Sequence, residues 1–358
     1  MPGILGRYFL RFFLGRALIV TLGLAVVLLV FDVLANADDI VSGSNSIVAP
    51  LLAYAALRLP QVITLVIPLA ALIATLITYA TAVSSHEMVA VRAAGISIYR
   101  TTAVLLLGAF ILAGAHLWFA DTVLPATTSR LQLWQARDYA GMPPRQRPHR
   151  APAWFSLGDT VVEVGWSSLD GSHLRDITVV RRDEAGRMIA YLRAEQAEYV
   201  EELWVLRNVR RVGVNGGSQS SQEELRIAIP VTPKRFAALG ERPGALSLSE
   251  IWRLANTTEL GGRPEQVYHV WLQRKFAQPL GALVMVLLGA TVGLQHARRN
   301  RMLLASSGAI GAGFLFFVAE RLLLALGETG IVPSAMAVWA PAGVFSMLAG
   351  WVLLHYEG

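Results

Sequence analysis

Leu59-Pro60-Gln61-Val62-Ile63-Thr64-Leu65-Val66-Ile67-Pro68-Leu69-Ala70-Ala71-Leu72-Ile73-Ala74-Thr75-Leu76-Ile77-Thr78-Tyr79-Ala80-Thr81-Ala82-Val83-Ser84-Ser85 is an unbroken run of 27 residues without a charge. At 1.5 Å of helical rise per residue, about 20 such residues cross the hydrocarbon of a bilayer, so the run reads as a membrane span. Its prolines are tolerated where neighbouring helices re-satisfy the freed backbone groups. Five more uncharged runs lie outward from it: 17–31 with an aromatic-rich lead-in from Tyr8, 101–120, 276–297, 302–319 and 329–356. Six helices result, three on each side of a polar block. Composition agrees: 54% hydrophobic and only 16% charged, at a mean hydropathy of +0.49, is too oily for an ordinary water-soluble chain.

The polar block is 129–263. It carries 19 basic and 16 acidic side chains, 35 of the chain's 56 charges. This near balance argues against nucleic-acid binding despite a pI near 9.9, because such a surface concentrates one sign. The expected organisation is helices one to three in 1–128, a soluble domain in 129–263 and helices four to six in 264–358. Inside the block, 160–164, 177–181, 188–200, 203–214 and 225–231 are rich in β-branched or aromatic residues. Turn sequences at 169–172, 183–186 and 215–218 separate them. An all-β meander closing into a sandwich or jelly roll is the expected domain. The Pro- and Arg-rich stretch 142–153 reads as its entry linker and 240–244 as its exit.

Orientation follows from basic residues in short loops. Arg7, Arg11 and Arg16 precede or open the first helix, Arg92 and Arg100 flank the second loop, and Arg298, Arg299 and Arg301 separate the fourth and fifth runs. The opposite loops carry Asp32, Asp38 and Asp39, or Glu328. Both termini are therefore expected in the cytoplasm and the β block in the periplasm. Ala35-Asn36-Ala37 has a small-x-small pattern that would suit cleavage of 1–37, but the apolar stretch from Ala17 to Leu34 is long for a signal peptide.

Several chemistries are excluded or demoted. The chain has no cysteine, and its two lysines, Lys234 and Lys275, follow Pro233 and Arg274, so no Walker A Gly-Lys exists. His86-Glu87 opens like a zincin motif, yet Ala90 stands where the second histidine is required. There is no Gly-x-Ser-x-Gly elbow, and the seven histidines lack ligand spacing, His116 and His355 reading as packed or interfacial residues.

The segment 84–95, Ser-Ser-His-Glu-Met-Val-Ala-Val-Arg-Ala-Ala-Gly, is too short to span and lies between two spans. Ser84 and Glu87 have the spacing of a capping box, and Gly95 suits a left-handed helix stop. Two readings stay open: Glu87 caps a connector, or the helix docks into a cytoplasmic partner.

These residues carry a family resemblance. Ser85-His86-Glu87 through Gly95-Ile96-Ser97 resembles the segment after the second helix in the LptF/LptG permeases of lipopolysaccharide export. So do Leu59-Pro60, Ile67-Pro68-Leu69-Ala70-Ala71-Leu72 and Arg274-Lys275-Phe276-Ala277-Gln278-Pro279-Leu280. With the order of three helices, β block and three helices, the likeness covers essentially the whole chain. Leu5-Gly6-Arg7-Tyr8 and the terminal Pro333, Pro341-Ala342, Phe345 and Leu353-Leu354 resemble LptG more than LptF.

The resemblance implies a permease subunit of an ATP-driven exporter in the bacterial inner membrane. It takes lipopolysaccharide from the outer leaflet and passes it to a periplasmic bridge. Implied partners are a paired LptF-like permease, a homodimeric LptB-like ATPase, a single-span LptC-like protein and an LptA-like bridge protein. No cofactor is expected on this chain, with ATP and magnesium on the ATPase. Glu87 matches the acidic residue of the family's coupling helix, with His86, Met88, Val89 and Arg92 flanking it as ATPase contacts. Lipid A carries phosphates, so basic residues at outer-leaflet depth are substrate candidates. These are Arg274 and Lys275, which enter the fourth helix, and Arg130 and Arg137 after the third. Glu320 and Arg321 join them as ionisable residues near the outer end of the fifth. Snorkelling to the interface or mutual pairing is the structural alternative. Asp32, Asp38 and Asp39 stand where family members can be basic, so substrate contacts on the first helix are not carried over. The competing functions are a membrane-bound enzyme acting on envelope lipids and a structural scaffold or sensor.

Cysteines introduced at Gly216 and Asn300 of this Cys-free chain are expected to label from the periplasmic and cytoplasmic sides respectively. Periplasmic labelling of position 300 would overturn the topology.

Overall fold

The computed structural model describes residues 3–42, 46–93, 97–135, 139–141, 153–157, 160–168, 172–183, 187–200, 203–213, 220–227, 244, 246–255, 265–293 and 299–357. The expected turns at 169–171, 184–186 and 215–218, the linker 142–152, Gly95 and Arg137 lie outside them. The helices are α1 (Ile4–Ala35), α2 (Ala37–Ser42), α3 (Val48–Ser84), α4 (Glu87–Ala93), α5 (Ile98–Thr122) and α6 (Leu124–Gln135). After the strands come α7 (Leu248–Ala255), α8 (Glu265–Gly293), α9 (Arg299–Glu328) and α10 (Ser334–Glu357). Six are long and apolar enough to span: α1, α3, α5, α8, α9 and α10. Most of them extend past an end of their uncharged run, because a helix continues through Arg58 or Glu320 where that charge has a partner. The short helices α2, α6 and α7 were not anticipated from the sequence.

The chain divides into two compact units, Met1–Asp38 with Tyr54–Leu124 and His269–Gly358, and Asp39–Ala53 with Pro125–Tyr268. In the first, α3 and α8 are the central helices, with 72% and 67% of their apolar windows buried against 17% to 28% for the other four spans. Small residues let them approach: a Cβ at Gly289 of α8 would stand 2.8 Å from Thr75 Cγ2 of α3. Leu72, Ala71, Met285 and Val286 fill the core around that crossing. On α1 the buried residues Phe9, Phe13, Ala17, Thr21 and Ala25 recur every fourth position, giving one narrow stripe. Phe13 of that stripe packs over Gly108 of α5. His116 is packed at 1% exposure, and His355 stacks on Trp351 at 5.3 Å.

In the second unit six strands, β1 (Ala153–Leu157), β2 (Thr160–Ser167), β3 (His173–Arg182), β4 (Met188–Val200), β5 (Leu203–Gly213) and β6 (Ser220–Ile227), form one antiparallel sheet in sequence order. This is the meander read from the sequence, with two differences. β1 is a sixth strand absent from the sequence reading, beginning at the last residue of the expected linker, and β6 lies earlier than 225–231, whose final residues are outside the described set. The hairpin after β3 is closed by Asp183, which accepts from the backbone N–H of Arg187 at 2.7 Å.

A kink line crosses the sheet where strict alternation fails. Pairing runs Val164↔Ile177 then Trp166↔Arg175, and Ala194↔Val209 then Gln196↔Arg207, so Gly165, Asp176, Glu195 and Asn208 lie on one unpaired row. Asp176 (φ 51°) and Asn208 (φ 54°) are left-handed. Consequently Leu174 and Ile177, three apart, are both buried, as are Leu206 and Val209. Asn208 Nδ2 donates to Glu195 Oε2 at 2.8 Å, and a Cβ on Gly165 would meet the Asp176 Cβ at 2.9 Å. Asn208→Gly is expected to keep the stability of the purified full-length protein, whereas Asn208→Val should lose about 1–3 kcal/mol, since a β-branched residue is strained at that φ. Thermal unfolding followed by tryptophan fluorescence checks this, and equal stability of the two variants would contradict the kink's energetic role.

Candidate functional site

α3 ends in a hydrogen-bonded turn: the Ser84 and Ser85 hydroxyls both donate to the Thr81 carbonyl, at 2.9 and 2.8 Å. His86 then takes a left-handed φ of 57°, and its carbonyl accepts from the N–H groups of Val89 (3.1 Å) and Ala90 (3.2 Å), which starts α4. The expected capping box between Ser84 and Glu87 does not form, because Ser84 is still the last residue of α3 and its hydroxyl turns back into that helix. The same Ser-x-x-Glu spacing does form a box at α7, where Glu250 Oε2 accepts from the Ser247 N–H at 2.8 Å. There Ser247 itself lies outside the helix, directly before α7, so its N–H is available to be capped.

Glu87 instead accepts from the Tyr8 hydroxyl of α1 at 3.0 Å. Met88 departs from the expectation of a surface contact: it is 2% exposed and, with Val91, packs into the helical core. The physical reason is attachment, since seven residues hold an orientation only by burying one face. The opposite face presents His86, Val89 and Ala90, with Val89 65% exposed. Arg92 lies in α4, and its side chain is outside the described set.

Near the start of α8, Arg274 is 6% exposed. Its Nη2 lies 3.7 Å from Glu320 Oε1 of α9, and its guanidinium stands 4.6 Å over the Trp271 ring. Trp271 is in turn fixed by its indole N–H donating to Glu328 at 2.7 Å. Arg274 Nε is buried with no hydrogen-bond partner. Arg274, Glu320 and Arg321 line one crevice with Thr64, Gln278 and Phe316 around a space of about 30 Å³, which takes a water-sized molecule. Lys275, 9% exposed, donates to the Ala120 carbonyl of α5 at 3.3 Å, where the last turn leaves carbonyls without helical partners. Adjacent in sequence, the two cations serve different neighbours. Arg130 is half-buried on α6 in the other unit.

Two features were not identified from the sequence. Trp271 and Glu328 complete the Arg274 cluster, and only the i, i+3 spacing of Trp271 and Arg274 hints at it. Asp32, noted only as a departure from the family, is held by Arg58 of α3 through Nε at 2.9 Å and Nη2 at 3.1 Å and by the Tyr54 hydroxyl at 2.8 Å. Among the described residues no three His, Asp or Glu side chains converge to hold a metal ion.

Six spanning helices split around an inserted β domain, with ionisable pairs held inside the helical unit, define a multi-pass membrane protein of the transporter-permease class. The sequence matches the family described as "Lipopolysaccharide export system permease LptF/LptG" over residues 7–355, and the chain belongs to that family. It is similar to the lipopolysaccharide export system permease protein LptG of Haemophilus influenzae, 24% identical over 307 residues and 84% of each chain. LptG of Escherichia coli K12 is 21% identical over 323 residues, again 84% of each chain. The chain is thus a permease of the lipopolysaccharide export system in the inner membrane, on the LptG-like side suggested by its ends.

Removing one member of a buried ion pair strands the other charge, so Arg274→Met alone is expected to destabilise the helical unit by about 3–5 kcal/mol. Adding Glu320→Met should recover most of that loss. Thermal unfolding of the single and double variants in detergent checks it, and additive losses would show that the pair is not coupled.

Proposed function

We propose that this subunit, both termini cytoplasmic and the β domain periplasmic, draws lipopolysaccharide from the outer leaflet of the inner membrane and delivers it to a periplasmic bridge. It is driven by ATP hydrolysis on a separate LptB-like ATPase dimer. An LptF-like permease completes the membrane pair, and LptC-like and LptA-like proteins continue the route from the β domain. Hydrolysis, with its ATP and magnesium, belongs to the ATPase and not to this chain.

The observation that carries the coupling part of this reading is the build of α4. A short helix anchored by Met88 and Val91 presents an outward face that begins at Glu87 and includes Val89. A connector that only joined two spans would not need an anchored inner face and an exposed apolar outer one. Lipid phosphate is assigned to the neighbourhood of Arg274 and Arg321. Arg321 is exposed at the crevice and is the first cation a phosphate meets, with Arg274 reached when Glu320 moves. Lys275, Arg130 and Arg137 are the remaining basic candidates along the route.

The test is reconstitution of the complex in vesicles containing lipopolysaccharide. Wild type should copurify with an ATPase and a second permease, and lipopolysaccharide should stimulate hydrolysis. Glu87→Gln, which keeps an acceptor but removes the charge, should lower export by roughly tenfold or more, the range for a hydrogen bond to an ionised group. Wild-type export by Glu87→Gln and Glu87→Ala alike would remove Glu87 from the docking surface. Conversion of lipid by the isolated chain would favour an enzyme instead.

A further inference from the structure

Tyr8 and Glu87 are 79 residues apart, and the hydrogen bond between them joins the first turns of α1 to the first residue of α4. A tyrosine near a helix end suits the membrane–water boundary, where the ring sits in the apolar layer and the hydroxyl at its edge. A phenylalanine would fill the ring's place as well, so the hydroxyl needs its own account.

The ring is held. Tyr8 packs against Phe9 at 5.7 Å, edge to face, and against Phe12 at 4.5 Å, and Arg16 stands 5.1 Å over Phe12. Phe9 and Phe13 then enter the core, so the phenol oxygen projects from an anchored platform. Glu87 opens a helix that follows a left-handed residue, and its own hydroxyl neighbours at 84 and 85 are committed to Thr81. Nothing in the turn before it fixes the carboxylate, whereas Tyr8 does.

The far end of the same helix is tied as well. Asp32, seven turns along α1, is gripped by Arg58 and Tyr54 of α3. α1 is thus a 32-residue rod with one narrow buried stripe and a polar tie at each end, to α4 on one side of the membrane and to α3 on the other. A rod held in this way moves as a unit when either tie is pulled.

We infer that Tyr8 is the positioning residue for Glu87. It holds the docking carboxylate in its presented orientation and passes displacement of α4 to α1. The inference rests on α4 being the element that docks on the ATPase. Tyr8→Phe removes one oxygen and leaves the aromatic packing in place, so stability and assembly are retained while the orientation of Glu87 is lost.

The experiment uses the complete complex in vesicles containing lipopolysaccharide and measures lipid exported per ATP hydrolysed. Tyr8→Phe is expected to lower that ratio about three- to tenfold, as one hydrogen bond of ordinary net strength does. ATPase copurification, thermal stability and the KM for ATP should stay at wild-type values. Combined with Glu87→Ala, Tyr8→Phe should add no further loss, because both variants break one interaction. A wild-type ratio for Tyr8→Phe beside an impaired Glu87→Ala overturns the role of Tyr8 and leaves docking intact. A ratio that falls only together with thermal stability, or losses that multiply in the double variant, overturns it too. A wild-type ratio for Glu87→Ala overturns docking through Glu87 and the inference with it.

Discussion

The close crossing of α3 and α8 is the constraint on which the helical unit depends. In a bilayer the hydrophobic effect does not drive helices together, so contact must come from packing and from small residues that let backbones approach. Gly289 supplies that approach to Thr75, and a side chain in its place would push against a β-branched residue with little freedom to yield. α3 and α8 are consequently buried on most of their faces, while the other four spans keep broad apolar surfaces outward. Those surfaces suit lipid or a neighbouring helix.

Charge placement follows from the same crossing. Arg274 and Lys275 are carried into the interior because α8 is central, and each must find a polar partner where it arrives. Arg274 meets Glu320 and the Trp271 face, and Lys275 meets the Ala120 carbonyl near the end of α5. Both side chains are buried, at 6% and 9% exposure. Paired in this way, Arg274 ties α8 to α9 and is a support of the fold, while its Nε is left buried without a hydrogen-bond partner. Arg321 lines the crevice beside that pair.

In the other unit the sheet shows how a periodic pattern is interrupted for shape. Asp176 and Asn208 sit in register on alternate strands, and their left-handed backbone gives each strand an extra residue at one level. Burial of Leu174 with Ile177 and of Leu206 with Val209 follows from that displacement. Asn and Asp tolerate this conformation better than other side-chain-bearing residues, which is why they occupy it.

The sequence by itself determined the six spans, the three-and-three division around a β block, and the family. Each rests on local and additive signals: uncharged length, β-branched runs between turns, and motifs in order. It also singled out Glu87, Arg274 and Glu320. It misjudged Ser84, because a capping box requires a non-helical N-cap and whether α3 stops before Ser84 is settled by packing along its whole length. The resemblance named Met88 among the ATPase contacts, whereas Met88 is buried; a seven-residue helix carries too little periodicity to say which face is inward. The partners of Glu87, Asp32 and Arg274 on other helices, which are Tyr8, Arg58 with Tyr54, and Glu320, were decided by tertiary structure alone. Contacts between residues 22 to 79 positions apart depend on how helices rotate and cross, and a single sequence carries no local signal for either.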